Sequence, residues 1–182
     1  MIAEVLKVLS FTQFFDTITN SNQKGGEIQM EYKNEIAWVK LLLVKDSSRP
    51  ATMEKTIMSS KDVHLLATKT LQSYFENHDR EEFVIIGLDG KNKIQFLNSV
   101  SMGCLTSSIV HPREVFKAAI LGNAAALILC HNHPSGDPRP SPEDIDITKR
   151  LVQAGEILGI KILDHVIIGD GQYTSFADKG LL

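Results

Sequence analysis

Residues 131–144 hold the densest group of side chains with chemical potential in this chain. His131 and His133 are separated by one residue, and Ser141 and Asp144 follow a segment that contains Pro134, Pro138 and Pro140. Residues two apart in an extended segment point the same way, so both imidazoles can converge on one ion. An Asp in the first turn of a following helix is ionised and favoured by the helix dipole. Two imidazoles and a carboxylate can hold one Zn²⁺ and leave its fourth position for water, as in hydrolytic zinc sites.

The same residues have simpler explanations. Ser141-Pro142-Glu143-Asp144 is a good helix start without any metal, with Ser141 as the N-cap and Pro142 as the first helical residue. Two histidines beside a turn, taken on their own, more often have other roles than binding a metal. The combination of strand-end imidazoles, a loop stiffened by prolines and a first-turn Asp nevertheless favours a metal site. Three protein ligands favour catalysis, because structural zinc is usually closed by four.

The elements that must position these residues follow from the hydrophobic pattern. The apolar run 124–130 predicts a strand covered on both faces, which ends at the histidine pair. A helix is predicted from about Ser141 to Leu158, closed by Gly159. The predicted buried positions of that helix are Ile147, Leu151, Ala154 and Leu158.

The other elements alternate between strands and helices. Ser59 to Asp62 resembles a capping box, and Pro112 fits the start of a helix that ends at Gly122-Asn123. Strands are predicted at 83–88, 93–100, 160–168 and 173–176. The predicted buried stripes of the two helices are Val63, Leu66, Ala67, Leu71, Tyr74 and Phe75, and Val115, Phe116, Ala119 and Ile120. The alternation indicates an α/β protein with a mixed sheet and helices on both faces.

The sequence divides into three regions. Residues 1–34 are expected to form an N-terminal extension, helical or poorly ordered, and 35–60 a strand with a connecting arm, before a domain at 61–182. Lys24-Gly25-Gly26-Glu27 would be encoded by a purine-rich string shortly before the codon of Met30. Because that string resembles a bacterial ribosome-binding site, we hypothesise that Met30 is the true start and that residues 1–29 are not translated.

Composition narrows the classes of partner. The net charge is −3 and there is no Lys/Arg tract, so nucleic acid is not supported as the main partner, although it is not excluded. No apolar run reaches the roughly 18 residues of a membrane span. The two cysteines, Cys104 and Cys130, have no CxxC spacing and fit a reducing compartment. We therefore expect a cytoplasmic protein without membrane contact.

The spacing His131-x-His133, seven residues, Ser141, two residues, Asp144 resembles the JAMM motif of the JAB/MPN metalloproteases. The flanking segments 134–138, 151–155 and 158–169 resemble the bacterial RadC branch, and the similarity covers about residues 57–182. RadC proteins commonly carry an N-terminal helix-hairpin-helix region, and no Gly-centred hairpin is found before residue 60.

The resemblance implies a three-layer JAB/MPN fold related to the cytidine deaminases. It implies zinc held by His131, His133 and Asp144, with Ser141 as the partner of the oxyanion. Active members cut peptide or isopeptide bonds with an upstream Glu as general base. In RadC sequences this Glu stands two residues before an aromatic residue, which matches Glu81 before Phe83 and leaves Glu82 as the adjacent alternative.

The leading prediction is therefore a zinc metallopeptidase acting on a peptide or protein substrate. The alternative is a noncatalytic zinc-containing scaffold or a DNA-repair-associated binding module. A nuclease is disfavoured because the ligands of the HNH motif are dispersed over a hairpin, and the Pro-Cys-x-x-Cys ligands of zinc deaminases are absent. His165 is predicted to be a hydrogen-bonded core residue, with a role behind a metal ligand as the alternative. The substrate and the oligomeric state stay open.

Overall fold

A computed structural model describes residues 56–70, 80–102 and 110–182. Within these ranges the chain forms three helices and five strands. In chain order they are α1 (Ser60–Lys69), β1 (Glu82–Leu88), β2 (Ile94–Met102), α2 (Pro112–Leu121), β3 (Ala126–Asn132), α3 (Pro142–Leu158), β4 (Lys161–Ile168) and β5 (Tyr173–Ser175). The predicted elements in this part of the chain are thus confirmed, with small differences at their ends.

The strands form one mixed sheet in the order β2-β1-β3-β4-β5. β1 is antiparallel to both β2 and β3, and β5 is antiparallel to β4. β3 and β4 are parallel, and α3 makes the crossover between them. The carboxyl end of β3 therefore lies next to the start of α3, which brings residues 131–133 close to Asp144.

Helices cover both faces of the sheet, because alternate residues of β1 and β3 point to opposite sides. One face packs against α2 and α3, and its strand residues include Phe83, Ile85, Leu127 and Leu129. The other face packs against Val63, Leu66 and Ala67 of α1, and its strand residues include Ile86, Leu88, Ile128 and Cys130. The predicted α/β class, with a three-layer arrangement of the JAB/MPN type, is confirmed.

Two helix starts follow the predicted capping chemistry. The Asp62 carboxylate accepts the backbone N–H of Ser59 at 2.8 Å before α1, and Ser141 is the N-cap of α3. Gly159 ends α3 with a φ of 70°, a left-handed conformation that glycine adopts without steric cost. The predicted stripe of α1 is confirmed at Val63, Leu66 and Ala67; its continuation at Leu71, Tyr74 and Phe75 lies outside the described residues.

Two predicted core positions are wrong. The side chains of Ile120 and Leu158 are 54% and 46% exposed. Ile120 lies to one side of the buried face of α2, and Leu158 is the last residue of α3. Instead, α3 makes a close backbone contact at Gly155. A Cβ added there would stand 2.4 Å from the carbonyl oxygen of Ile160. A hydrophobic pattern cannot indicate such a contact, because it depends on the absence of a side chain.

The predicted extension 1–34, the strand and arm at 35–60 up to residue 55, and the Met30 hypothesis also lie outside the described residues. The proposed domain boundaries therefore stay predictions. Within the described ranges, no helix has the length and apolar character needed to cross a membrane.

Candidate metal centre

β3 and α3 bring His131, His133 and Asp144 together. The Nε2 atoms of the two histidines are 3.0 Å apart, and Asp144 Oδ1 lies 3.2 Å from His131 Nε2. Asp144 Oδ2 lies 3.4 Å from His133 Nε2. A tetrahedral ion bound at about 2.0–2.1 Å holds its ligand atoms roughly 3.3 Å apart. The donor set and its spacing therefore fit one divalent ion such as Zn²⁺.

The loop after β3 holds the ring of His133. Its Nδ1 donates to the carbonyl oxygen of Asp137 at 2.7 Å, which leaves the lone pair on Nε2 for an ion. The backbone N–H of His133 donates to the carbonyl oxygen of Ile168 at 2.9 Å, and Gly136 accepts the N–H of Asp170 at 2.9 Å. These bonds tie the loop to the carboxyl end of β4, so the orientation of His133 does not depend on the loop alone.

One carboxylate serves both the helix start and the candidate centre. Asp144 Oδ2 accepts the backbone N–H of Ser141 at 2.8 Å and its hydroxyl at 2.7 Å, while Oδ1 is the oxygen closest to His131. The backbone N–H of Asp144 donates to Ser141 Oγ at 3.1 Å. The sequence left capping and metal binding as alternatives, whereas the structure combines them. The Ser141 hydroxyl lies beside the cluster, with its proton directed at Asp144.

The charges of the cluster reinforce one another. Burial opposes ionisation of Asp144, but hydrogen bonds from His131 and His133 outweigh it and hold the pKa of the carboxyl well below its ordinary value. The hydrogen bond to Asp144 raises the pKa of His133, burial acts against it, and the Asp137 carbonyl and the Glu81 charge add to the rise. The carboxylate of Asp144 therefore stays ionised, which is the form that can bind a cation.

His165 and Thr148 stand behind the ligands in a hydrogen-bonded chain. His131 Nδ1 lies 2.8 Å from His165 Nε2, and His165 Nδ1 lies 2.6 Å from Thr148 Oγ1. Thr148 Oγ1 donates to the backbone carbonyl of Asp144 at 2.5 Å. If His131 presents Nε2 to an ion, its Nδ1–H donates to His165, and every polar hydrogen in the chain then has an acceptor. The chain thus joins one candidate ligand to the backbone of another.

His165 is a hydrogen-bonded core residue, as predicted, and its contact with His131 also supports the alternative role behind a metal ligand. Its ring is fully buried and stacks on Phe176 at 4.8 Å between centroids. Burial, followed by the nearby charge of His131, holds the pKa of His165 well below its ordinary value, so the ring stays neutral and its Nε2 can accept a hydrogen bond from His131. Sequence reasoning missed Thr148 altogether. The signals for His165 were a polar pair, Asp164-His165, inside an apolar strand and the resemblance of segment 158–169 to the RadC branch.

Alternation of side chains, continued one residue before β1, places the two candidate bases on opposite sides of the sheet. The Phe83 ring stacks with His131 at 5.9 Å between centroids, and Glu81 precedes Phe83 by two residues, which places it on the same side. The charge of Glu81 also acts on His133. Glu82 is fully buried in β1, paired with Met102, and faces the other side. The geometry favours Glu81 over Glu82 as the acidic residue that faces the cluster.

A family model described as the RadC-like JAB domain matches residues 57–181. The chain belongs to this family. Curated relatives are named UPF0758 protein, a name that states no activity. That of Geotalea uraniireducens (strain Rf4) is 58% identical over 108 residues, which cover 59% of this chain and 47% of that protein. That of Desulforudis audaxviator (strain MP104C) is 51% identical over 133 residues, 73% of this chain and 56% of that protein. The chain spans about half the length of the curated relatives it matches.

Proposed function

We propose that the protein is a zinc-dependent metallopeptidase-type hydrolase that cleaves a peptide or isopeptide bond in a peptide or protein substrate. The observation that carries the proposal is the convergence of His131, His133 and Asp144. Nitrogen and carboxylate donors in this combination suit zinc, and three protein ligands leave one position for a reactant. The RadC-like JAB domain that covers most of the chain supports the same assignment.

In this proposal His131 and His133 bind Zn²⁺ through Nε2 and Asp144 binds it through a carboxylate oxygen. A zinc ion bound there supplies Lewis acidity, which lowers the pKa of water and polarises an amide carbonyl. Glu81 accepts a proton from the attacking water and passes it to the amine that leaves when the C–N bond breaks. Ser141 turns its hydroxyl away from Asp144 and donates to the oxyanion on the carbonyl carbon.

Elemental analysis and a cleavage screen of the full chain test the proposal together. The probes are a library of peptidyl-aminocoumarins and a fluorogenic Lys isopeptide, and both are expected to report cleavage by the zinc-loaded wild type. Glu81→Gln is expected to keep its zinc and to lose about 10²- to 10⁴-fold in rate. His131→Ala is expected to lose both zinc and activity. Full metal content with full activity in His131→Ala would contradict the assignment.

Glu143→Gln is the matched control for the acidic substitutions. Glu143 is adjacent to Asp144 in the first turn of α3 and exposed, so its substitution is expected to leave zinc content and rate unchanged. Asp144→Asn is expected to reduce zinc affinity, because the amide offers the ion no negative charge. Equal losses in Glu143→Gln and Asp144→Asn would mean that charge near the helix start, not coordination, determines binding.

A noncatalytic scaffold that holds zinc and binds a partner is the second candidate. One observation favours it: the Ser141 hydroxyl donates to Asp144, so the oxyanion donor is not already directed at a substrate position. Zinc binding without turnover of any probe, together with no effect of Glu81→Gln in cells, is the result that would favour the scaffold.

A further inference from the structure

Asn132, the residue between the two histidines, contacts the backbone on both sides of Glu81. Its side-chain oxygen accepts the backbone N–H of Glu82 at 2.8 Å. Its side-chain nitrogen donates to the backbone carbonyl of Arg80 at 3.1 Å. The orientation of the amide is fixed by these partners, because a backbone N–H requires an acceptor and a carbonyl requires a donor.

The amide continues the sheet where its backbone pairing stops. The antiparallel pairing of β1 with β3 ends at Phe83 and His131. Beyond this pair, the side chain of Asn132 offers one donor and one acceptor side by side, as a peptide group of a neighbouring strand would. An aspartate lacks the donor, and an aliphatic side chain lacks both groups. The side chain of Asn132 is only 5% exposed, so water replaces neither bond easily.

Glu81 lies just outside β1 and precedes the first residue paired with β2, Glu82. The direction of its side chain therefore depends on the peptide groups at Arg80 and Glu82, which are the two groups that Asn132 holds. Asn132 and His131 are consecutive residues of β3. The Asn132 amide therefore connects the backbone around Glu81 to the strand that carries a candidate ligand.

We propose that Asn132 is a positioning residue. Its side-chain amide holds the backbone on both sides of Glu81 and thereby fixes the distance between the Glu81 carboxylate and the imidazole rings of His131 and His133. The inference deepens the proposed function, on which the role of Glu81 as a base rests. Misplacing a reacting group by about 1 Å can cost about 10²-fold in rate, so the amide would influence turnover without contacting a substrate.

Asn132→Leu tests the inference, since leucine has nearly the same shape and neither polar group. Asn98→Leu is the matched control, because Asn98 is an exposed strand asparagine in β2. With the zinc-loaded full chain and the peptidyl-aminocoumarin and Lys isopeptide probes, Asn132→Leu is expected to keep its zinc affinity and its KM. Its kcat is expected to fall by about 10²-fold. Added to Glu81→Gln, the substitution should cause little further loss, because both changes remove the same function.

Amide hydrogen exchange gives a readout that needs no substrate. In Asn132→Leu the N–H of Glu82 is expected to exchange about two- to tenfold faster, as for the loss of one hydrogen bond, while the N–H of Ile85 within β1 is unchanged. If Asn132→Leu does not fold, Asn132→Asp keeps the acceptor for Glu82 and loses the donor to Arg80. That variant should retain Glu82 protection and still lose kcat.

The two readouts separate this inference from the proposed function. A wild type that binds zinc and cleaves neither probe counts against the metallopeptidase, whereas the exchange rate of Glu82 still tests the contact made by Asn132. Unchanged protection of Glu82 in Asn132→Leu would overturn the inference. The inference would also be overturned if the double variant lost the full product of the two single-variant rate factors, because Asn132 and Glu81 would then act independently.

Discussion

Replacing His165 by phenylalanine should weaken zinc binding although His165 is not a ligand. Phenylalanine keeps a ring against Phe176. It removes the two ring nitrogens through which His165 links His131 to Thr148 by hydrogen bonds. His131 is 3% exposed, so its Nδ1–H would be left without an acceptor in a buried place. Substituting a residue that orients a metal-binding histidine typically costs about 10- to 100-fold in metal affinity. At about 1.4 kcal/mol for each factor of ten, this amounts to roughly 1.4–2.8 kcal/mol.

Competition with a chromophoric chelator measures the zinc affinity, and thermal unfolding measures the stability. His165→Phe should also unfold more easily, by about 1–3 kcal/mol, because it leaves buried polar groups unpaired. His64→Phe is the control: His64 also stacks on an aromatic ring, Tyr173 at 4.7 Å, on the α1 side of the sheet. Wild-type zinc affinity in a folded His165→Phe protein, or an equal loss in His64→Phe, would refute the reasoning.

Three further predictions concern the helix start, the packing of α3 and the buried thiol. Ser141→Ala should retain zinc, lose about 10²- to 10³-fold in kcat as an oxyanion donor, and lose about 0.5–2 kcal/mol of stability as an N-cap; a wild-type rate would contradict its catalytic role. Gly155→Ala should destabilise the protein by about 1–3 kcal/mol through overpacking against the Ile160 carbonyl, measured by denaturant unfolding. The control is Gly90→Ala, because an added Cβ at Gly90 meets nothing within 4 Å and the variant should unfold like the wild type. Burial, followed by the charge of Asp164, raises the pKa of the Cys130 thiol to about 12. The folded state then keeps a proton that the unfolded state releases above pH 9.0. Stability relative to Cys130→Ala should therefore be constant below that pH and fall by about 1.4 kcal/mol per pH unit toward pH 12.

The sequence predicted the local part of the structure well because helices and strands follow from patterns a few residues long. The helix start at Ser141 and the glycine that ends α3 are encoded within single turns. The relation of Glu81 to His131 is of another kind. It arises because Phe83 pairs with His131 across two strands that are 48 positions apart in the chain, and only the packed sheet determines that register. The resemblance to RadC sequences indicated Glu81 as the base, and the register explains why Glu82 faces away from the candidate metal centre.

His165 shows the same limit from the other direction. It lies in β4, where Leu129 is its partner across the parallel pair, and its ring reaches His131 from the neighbouring strand. No spacing between residues 131 and 165 indicates this contact, because the length of α3 and its crossover set the alignment. From the sequence, His165 could be a core residue or a partner of a metal ligand; the structure shows that it is buried in the core and also hydrogen-bonded to His131.

Each of the three candidate ligands is held by a hydrogen bond that is independent of an ion. His165 holds His131, the carbonyl of Asp137 holds His133, and Ser141 holds the carboxylate of Asp144. The side chains therefore lose little conformational freedom when an ion binds, which favours tight binding. The two apolar clusters on either face of the sheet form the core without any contribution from these ligands. We therefore expect this domain, unlike a zinc finger, to keep its fold when a metal is removed, and metal exchange should change reactivity more than structure.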